Sequence, residues 1–305
     1  MHVDPTVKAI FAAIEPGPVP TDLDERRAAA NATFKLLYVP EAGAAVEDHD
    51  LGDFRVRVIR PVGAVGELPG LLFIHGGGWF QGDLDTAEVE CGPMATAVGC
   101  VVVSVDYRLA PEHPFPTPLE DCITAWQWLH EKAGSLGIDV SRVAVAGTSA
   151  GGNLAAALCV AAKERGLPMP IAQLLDVPAT DLTMQSPSLA AYGGTAGLTS
   201  SEVEQFAAWY AGDTDPAHPL ISPLLADDLT GLPPAVVVVA EHDPIRDDGE
   251  RWVTALQAAG VPAMGVRVLT HLHGTWVLPF TVTSRLVQDL RQGALRRAFE
   301  GTLVP

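Results

Sequence analysis

The chain has 305 residues, 48% of them hydrophobic, enough to bury a large core and too apolar for disorder. Its formal charge of −18 would repel nucleic acid and gives no reason to expect binding to an anionic membrane. Met1 to Glu15 lacks a basic start followed by an apolar run, no stretch is long enough for a membrane span, and Cys91, Cys100, Cys122 and Cys159 show no metal spacing. These features lead us to expect a cytoplasmic protein without stable membrane insertion or a disulfide framework.

Asp4-Pro5 resembles an N-cap followed by proline at the first helical position, with Val7, Ile10, Phe11 and Ile14 on one face. Pro16, Pro18 and Pro20 end that helix. A second helix starts after Thr21 and turns Leu23, Ala30, Phe34 and Leu37 inward. From Phe54 onward strands and helices alternate. Phe54 to Ile59 is an alternating strand. Leu71–Ile74, Val101–Val105, Val143–Ala146, Ile171–Leu175 and Val236–Val239 are short apolar runs, as in strands buried on both faces of a parallel sheet. Met264–Leu269 is a weaker last strand. Helical patterns fall between, notably over Leu119–Lys132, Asn153–Glu164 and Asp247–Ala259. Repeated strand–helix–strand units predict an α/β, doubly wound sheet. The stretch Pro187–Leu232 breaks the rhythm as an insertion, a natural place for part of a lid.

Two glycine-rich motifs carry chemistry. Gly147-Thr148-Ser149-Ala150-Gly151 lies between an apolar strand pattern and a helix beginning near Asn153. Gly-x-Ser-x-Gly alone arises by chance in roughly one chain in ten of this composition. In a strand–turn–helix setting, however, it matches the nucleophile elbow that exposes a serine hydroxyl, which makes Ser149 the candidate nucleophile. His75-Gly76-Gly77-Gly78-Trp79 follows the strand Leu71–Ile74. Glycines there let backbone N–H groups approach a developing oxyanion, so Gly77 and Gly78 are candidate donors together with Ala150. His75 itself is better explained as bracing the glycine loop than as a base.

In this arrangement a carboxylate and then a histidine follow the serine along the chain. After Val236–Val239 come Glu241, Asp243, Asp247 and Asp248. Asp247 and Asp248 sit where a helix begins and are natural caps, whereas Asp243 lies in the loop before a proline; Asp243 is chosen, with Asp247 the alternative. After the last strand come His271 and His273, which spacing does not separate. Gly274 leaves room around His273. The resulting chemistry is acyl transfer by Ser149, with histidine as base and Asp243 as its orienting partner. It needs no metal or cofactor, and the chain has neither His-Glu-x-x-His nor a Gly-x-Gly-x-x-Gly after a strand.

Four blocks, in order, resemble the hormone-sensitive lipase family of α/β-hydrolases, the bacterial family IV esterases. They are His75 to Trp79; Asp106-Tyr107-Arg108-Leu109-Ala110-Pro111-Glu112 with His113-Pro114-Phe115-Pro116; Gly147 to Asn153; and Asp243-Pro244-Ile245-Arg246-Asp247. The resemblance covers roughly residues 50 to 300, and Thr148 suits one of the family's two subgroups. It implies an α/β-hydrolase fold: a mostly parallel eight-stranded sheet flanked by helices, with a helical cap. It implies a triad of Ser149, Asp243 and His273, and oxyanion donors Gly77, Gly78 and Ala150. It divides the chain into N-terminal cap helices over 1–45 and a catalytic domain over 46–305 carrying a cap insertion at about 187–232. A small-molecule ester of short to medium acyl chain is the expected substrate, and a homodimer is an expectation from relatives. One departure stands out: Thr275, followed by Trp276, replaces the phenylalanine usual two residues after the histidine. Two other readings are an amide or peptide hydrolase on the same groups and a non-catalytic small-molecule receptor.

Overall fold

The computed structural model describes residues 2–13, 22–37, 41–194, 197–277 and 280–303, without the side chains of 10–13 and 33–37. Eight strands form one sheet: β1 (Ala44–Asp50), β2 (Arg55–Pro61), β3 (Leu68–Ile74), β4 (Val101–Asp106), β5 (Ile138–Thr148), β6 (Gln173–Asp176), β7 (Ala235–His242) and β8 (Ala263–Leu272). The spatial order is β1-β2-β4-β3-β5-β6-β7-β8. β2 pairs antiparallel with β1 and β4, and every other pairing is parallel. This is the α/β-hydrolase architecture that the resemblance implies.

The helices are α1 (Pro5–Ala13), α2 (Leu23–Leu37), α3 (Leu84–Val98), α4 (Thr117–Leu136), α5 (Ala150–Arg165), α6 (Pro187–Tyr192), α7 (Ser200–Ala211), α8 (Arg246–Ala258) and α9 (Val282–Phe299). The period of two along each strand sorts the core into two layers. Leu72 and Ile74 of β3 pack with Leu119, Trp126, Leu154 and Trp252 from α4, α5 and α8. Their neighbours Leu71 and Phe73 face the other way, against Cys91 and Met94 of α3 and Leu295 and Phe299 of α9. The continuous apolar runs exist because both faces are covered. The two largest anchors also satisfy their indoles. Trp126 Nε1 donates to the Pro168 carbonyl at 2.9 Å and Trp252 Nε1 to Gln173 Oε1 at 3.1 Å.

β1 was not among the expected strands. It is an edge strand whose Glu47, Asp48 and Asp50 are charged, so it lacks the apolar run that marks its neighbours. α3 and α9 complete the second layer, and neither stood out as a helical pattern. Val7 is buried, as its helical face predicts. The side chains of Ile10, Phe11, Phe34 and Leu37, and the whole of Ile14, Pro16, Pro18, Pro20 and Thr21, lie outside the described residues. The four cysteines are buried thiols. Among the described residues, no helix is long and apolar enough to cross a membrane.

Candidate active site

Three parallel strands deliver one polar side chain each, immediately past their carboxyl ends. Ser149 follows β5, Asp243 follows β7, and His273 follows β8. Ser149 sits at φ 57°, ψ −116°, an angle pair that a non-glycine residue adopts at a cost of about 1–3 kcal/mol. Its neighbours dictate the tightness of the turn. A Cβ on Gly147 would lie 2.2 Å from the Gly151 carbonyl oxygen, and one on Gly151 would lie 2.0 Å from that of Ile74. The Ser149 N–H is held by the Asp176 carbonyl at 2.8 Å, and its hydroxyl does not cap α5. The hydroxyl is left for another partner.

That partner is His273. Its Nε2 lies 2.9 Å from Ser149 Oγ, and its Nδ1 lies 2.8 Å from Asp243 Oδ2. Asp243 is fully buried, and its Oδ1 accepts the Ile245 N–H at 3.0 Å. With Nδ1–H donating to the carboxylate, Nε2 carries the lone pair that faces the serine.

The other candidates are engaged elsewhere. Glu241 Oε2 accepts the Thr270 N–H at 2.7 Å. Asp247 Oδ2 accepts the Ser188 N–H at 2.9 Å and its Oδ1 pairs with Arg246. Asp248 accepts from Ser186 Oγ and from the Asp181 N–H, and burial pushes its pKa up to about 7. His271 is fully buried, 3.1 Å from the Leu269 carbonyl through Nδ1 and 3.5 Å from Thr281 Oγ1 through Nε2. His75 stacks on Tyr107 at 4.3 Å and donates from Nδ1 to the Gly76 carbonyl at 2.7 Å. Its burial lowers its pKa, which keeps the ring neutral, and the Tyr107 hydroxyl donates to its carbonyl at 3.0 Å. His75 therefore braces the loop.

The glycine loop faces the serine. A Cβ on Gly76 would lie 2.8 Å from the Thr148 carbonyl oxygen, so the loop and the elbow touch backbone to backbone. Gly77 has φ +115°, and a Cβ there would lie 2.2 Å from the Gln81 carbonyl oxygen. Among the described residues, the N–H groups of Gly77, Gly78 and Ala150 have no backbone acceptor. Ala150 opens α5, where free N–H groups and the helix dipole favour negative charge.

A cavity of about 530 Å³ opens above these groups, with Ser149, His273 and Gly78 at its floor and Leu189, Val203 and Phe206 in its wall. The last three come from α6 and α7, inside the 187–232 stretch. α2 closes another side. Arg27 donates to the Phe80 carbonyl at 2.6 Å and the Ala110 carbonyl at 2.9 Å, and pairs with Glu112 at 2.6 Å. Beside it, Arg26 lies 4.9 Å over the Phe80 ring and 5.2 Å over that of Phe206. Thr275, the residue in place of phenylalanine, also lines the cavity and donates to the Leu272 carbonyl at 3.1 Å.

Sequence reasoning missed one polar cluster. Glu90 of α3, Asp176 at the end of β6 and Arg291 of α9 meet behind the elbow, each largely buried. Their separation along the chain leaves no local signal.

A family model described as the α/β hydrolase fold matches residues 71–277. The chain is 40% identical over 289 residues to the carboxylic ester hydrolase LipN of Mycobacterium tuberculosis, covering 89% of this chain and 76% of that protein. It is 39% identical to an arylesterase of Saccharolobus solfataricus, covering 84% and 82%. Among solved structures it is similar to a hyperthermophilic esterase from the archaeon Pyrobaculum calidifontis, with a TM-score of 0.89 and 35% identity over 97% of this chain and 98% of that one.

Proposed function

The chain belongs to the α/β-hydrolase family, on its hormone-sensitive-lipase-like branch, and from that premise we propose that it is a carboxylic ester hydrolase working through Ser149, His273 and Asp243. The observation that carries the proposal is the hydrogen-bond relay from Asp243 through His273 to Ser149, at 2.8 and 2.9 Å, beside N–H groups that have no backbone acceptor among the described residues. The relatives' ester-hydrolase names support it.

His273 Nε2 takes the Ser149 proton as Oγ attacks the ester carbonyl. The carbonyl oxygen, now an anion, turns into the N–H groups of Gly77, Gly78 and Ala150. Asp243 stabilises the imidazolium and holds its orientation. The imidazolium then protonates the leaving alcohol, which departs and leaves an acyl group on Ser149. Water repeats the cycle and frees the acid. Each step uses only groups of the chain and water.

We read α1, α2 and the 187–232 stretch as a cap, and the apolar wall they give the cavity as the reason for a preference for short to medium acyl chains. β8 is an edge strand with Met264 and Leu269 exposed, and we take this edge as the homodimer face. The test of function is hydrolysis of p-nitrophenyl esters of increasing length by wild type and Ser149→Ala. Turnover should peak at short to medium chains and fall roughly 10⁴-fold or more in the variant. Ester cleavage retained by folded Ser149→Ala would overturn the assignment.

A further inference from the structure

The Glu90–Arg291–Asp176 cluster touches the site from both sides. Arg291 Nη2 lies 2.5 Å from Glu90 Oε2 and 2.6 Å from Asp176 Oδ2, and its side chain is 3% exposed. One cation thus serves two carboxylates away from water. On the nucleophile's side, Thr148 Oγ1 donates to Glu90 at 3.1 Å, and the Asp176 carbonyl accepts the Ser149 N–H. On the histidine's side, Trp276 is fully buried in the loop that follows His273. α9 grips that same loop one turn earlier, where Gln288 Nε2 donates to the Trp276 and Val277 carbonyls at 3.0 Å each.

We infer that Arg291 is a positioning residue for the Ser149–His273 pair, acting through Glu90 and Asp176 on the elbow and through its own helix α9, whose Gln288 holds the Trp276 and Val277 carbonyls, on the histidine's loop. This rests on the ester-hydrolase reading above. The physical reason is that two buried carboxylates cannot stay close without their shared cation. Each would move toward water or take up a proton, and Glu90 is bonded to Thr148 while the backbone of Asp176 holds the Ser149 N–H. Burial already pushes the Asp176 pKa up to about 7, despite the lowering effect of Arg291. Sub-ångström shifts of a reacting pair are costly to the chemical step and much less so to substrate binding.

The experiment compares kcat, KM and Tm on p-nitrophenyl butyrate for wild type, Arg291→Met, Arg291→Lys and Thr148→Val. Arg291→Met should lower kcat about 10- to 100-fold with KM changed less than about threefold. Arg291→Lys, which keeps a point charge, should recover most of that loss. Because removing the cation threatens folding itself, Thr148→Val is the second test. It cuts only the hydroxyl link to Glu90 and should lower kcat at least about threefold at unchanged KM. A folded Arg291→Met with wild-type kcat and a lower Tm would show a merely structural arginine and overturn the inference. So would a Thr148→Val with kcat within threefold of wild type when Arg291→Met does not fold. A wild type that neither cleaves the ester nor is labelled at Ser149 by an alkyl fluorophosphonate would refute the parent reading, and this inference would fall with it.

Discussion

Replacing Asp243 by asparagine is a nearly isosteric change with a directional consequence. Asp243 Oδ1 accepts the buried Ile245 N–H, so the asparagine must turn its oxygen to that donor or leave it unpaired. Its NH₂ group then occupies the place of Oδ2, 2.8 Å from His273 Nδ1. A donor there demands the lone pair of Nδ1, which moves the ring hydrogen to Nε2. The nitrogen facing Ser149 Oγ at 2.9 Å can then no longer accept its proton. The same exchange in serine-protease triads costs about 10⁴ in rate, or about 5.5 kcal/mol of barrier. We therefore expect kcat/KM for p-nitrophenyl butyrate at pH 7 to fall about 10⁴-fold, with Tm within a few degrees of wild type. Asp247→Asn, which meets Ser188 and Arg246 and not the histidine, should stay within about threefold of wild type. An Asp243→Asn enzyme within tenfold of wild type would refute the tautomer argument.

Further outcomes follow from neighbouring contacts. His273→Ala should abolish turnover on the scale of Ser149→Ala, whereas His271→Ala should lower stability by about 1–3 kcal/mol with kcat of the folded enzyme nearly unchanged; the reverse order in a paired kinetic and melting experiment would exchange their roles. Gly77→Ala should lower kcat about 10²- to 10³-fold, because its Cβ meets backbone at 2.2 Å, and Gly78→Ala should lower it less, because its Cβ meets the movable Phe206 ring at 2.6 Å. A folded Gly77→Ala enzyme with wild-type kcat would dissociate the loop from oxyanion binding. For Asp248, the folded pKa of about 7 lies above the unfolded value near 4, so the native state holds the extra proton between them. Wild type should lose stability relative to Asp248→Asn, by a few kcal/mol, as pH rises from about 4 to about 7, and the gap should then level off. Melting curves showing no such divergence would contradict the buried acid.

The parts of the fold legible in the sequence are those with local causes. Buried parallel strands require apolar runs, and β3 to β7 display them. β1 escapes because an edge strand needs only backbone partners on one side, so Glu47, Asp48 and Asp50 can be charged. The glycine motifs were legible because their constraint is steric and spans a few residues, as the 2.0 Å and 2.2 Å clashes at Gly151 and Gly147 show. Among the four acids the loop position before a proline singled out Asp243, whereas the two histidines were separated only by the family resemblance. Chain order limits the choice to two loops, but which carboxylate meets which ring depends on how β7 and β8 end side by side. Arg291 was invisible for the same reason carried further: it lies 201 residues from Glu90, on a different helix of the same layer.

The entry to the 187–232 stretch, at Ser186 and Ser188, is stitched to the start of α8. Ser186 and Ser188 meet Asp248 and Asp247, and Ser188 Oγ also donates to the Pro244 carbonyl at 2.8 Å, one residue from Asp243. The stretch is therefore not a modular attachment. Anyone grafting the corresponding segment of another esterase onto this scaffold, to change which substrates fit, would have to carry these two serines across or redesign the aspartates with them. A chimera that matched the chain only at the strand ends would strip the buried Asp248 of its serine partner and slacken the loop that carries Asp243.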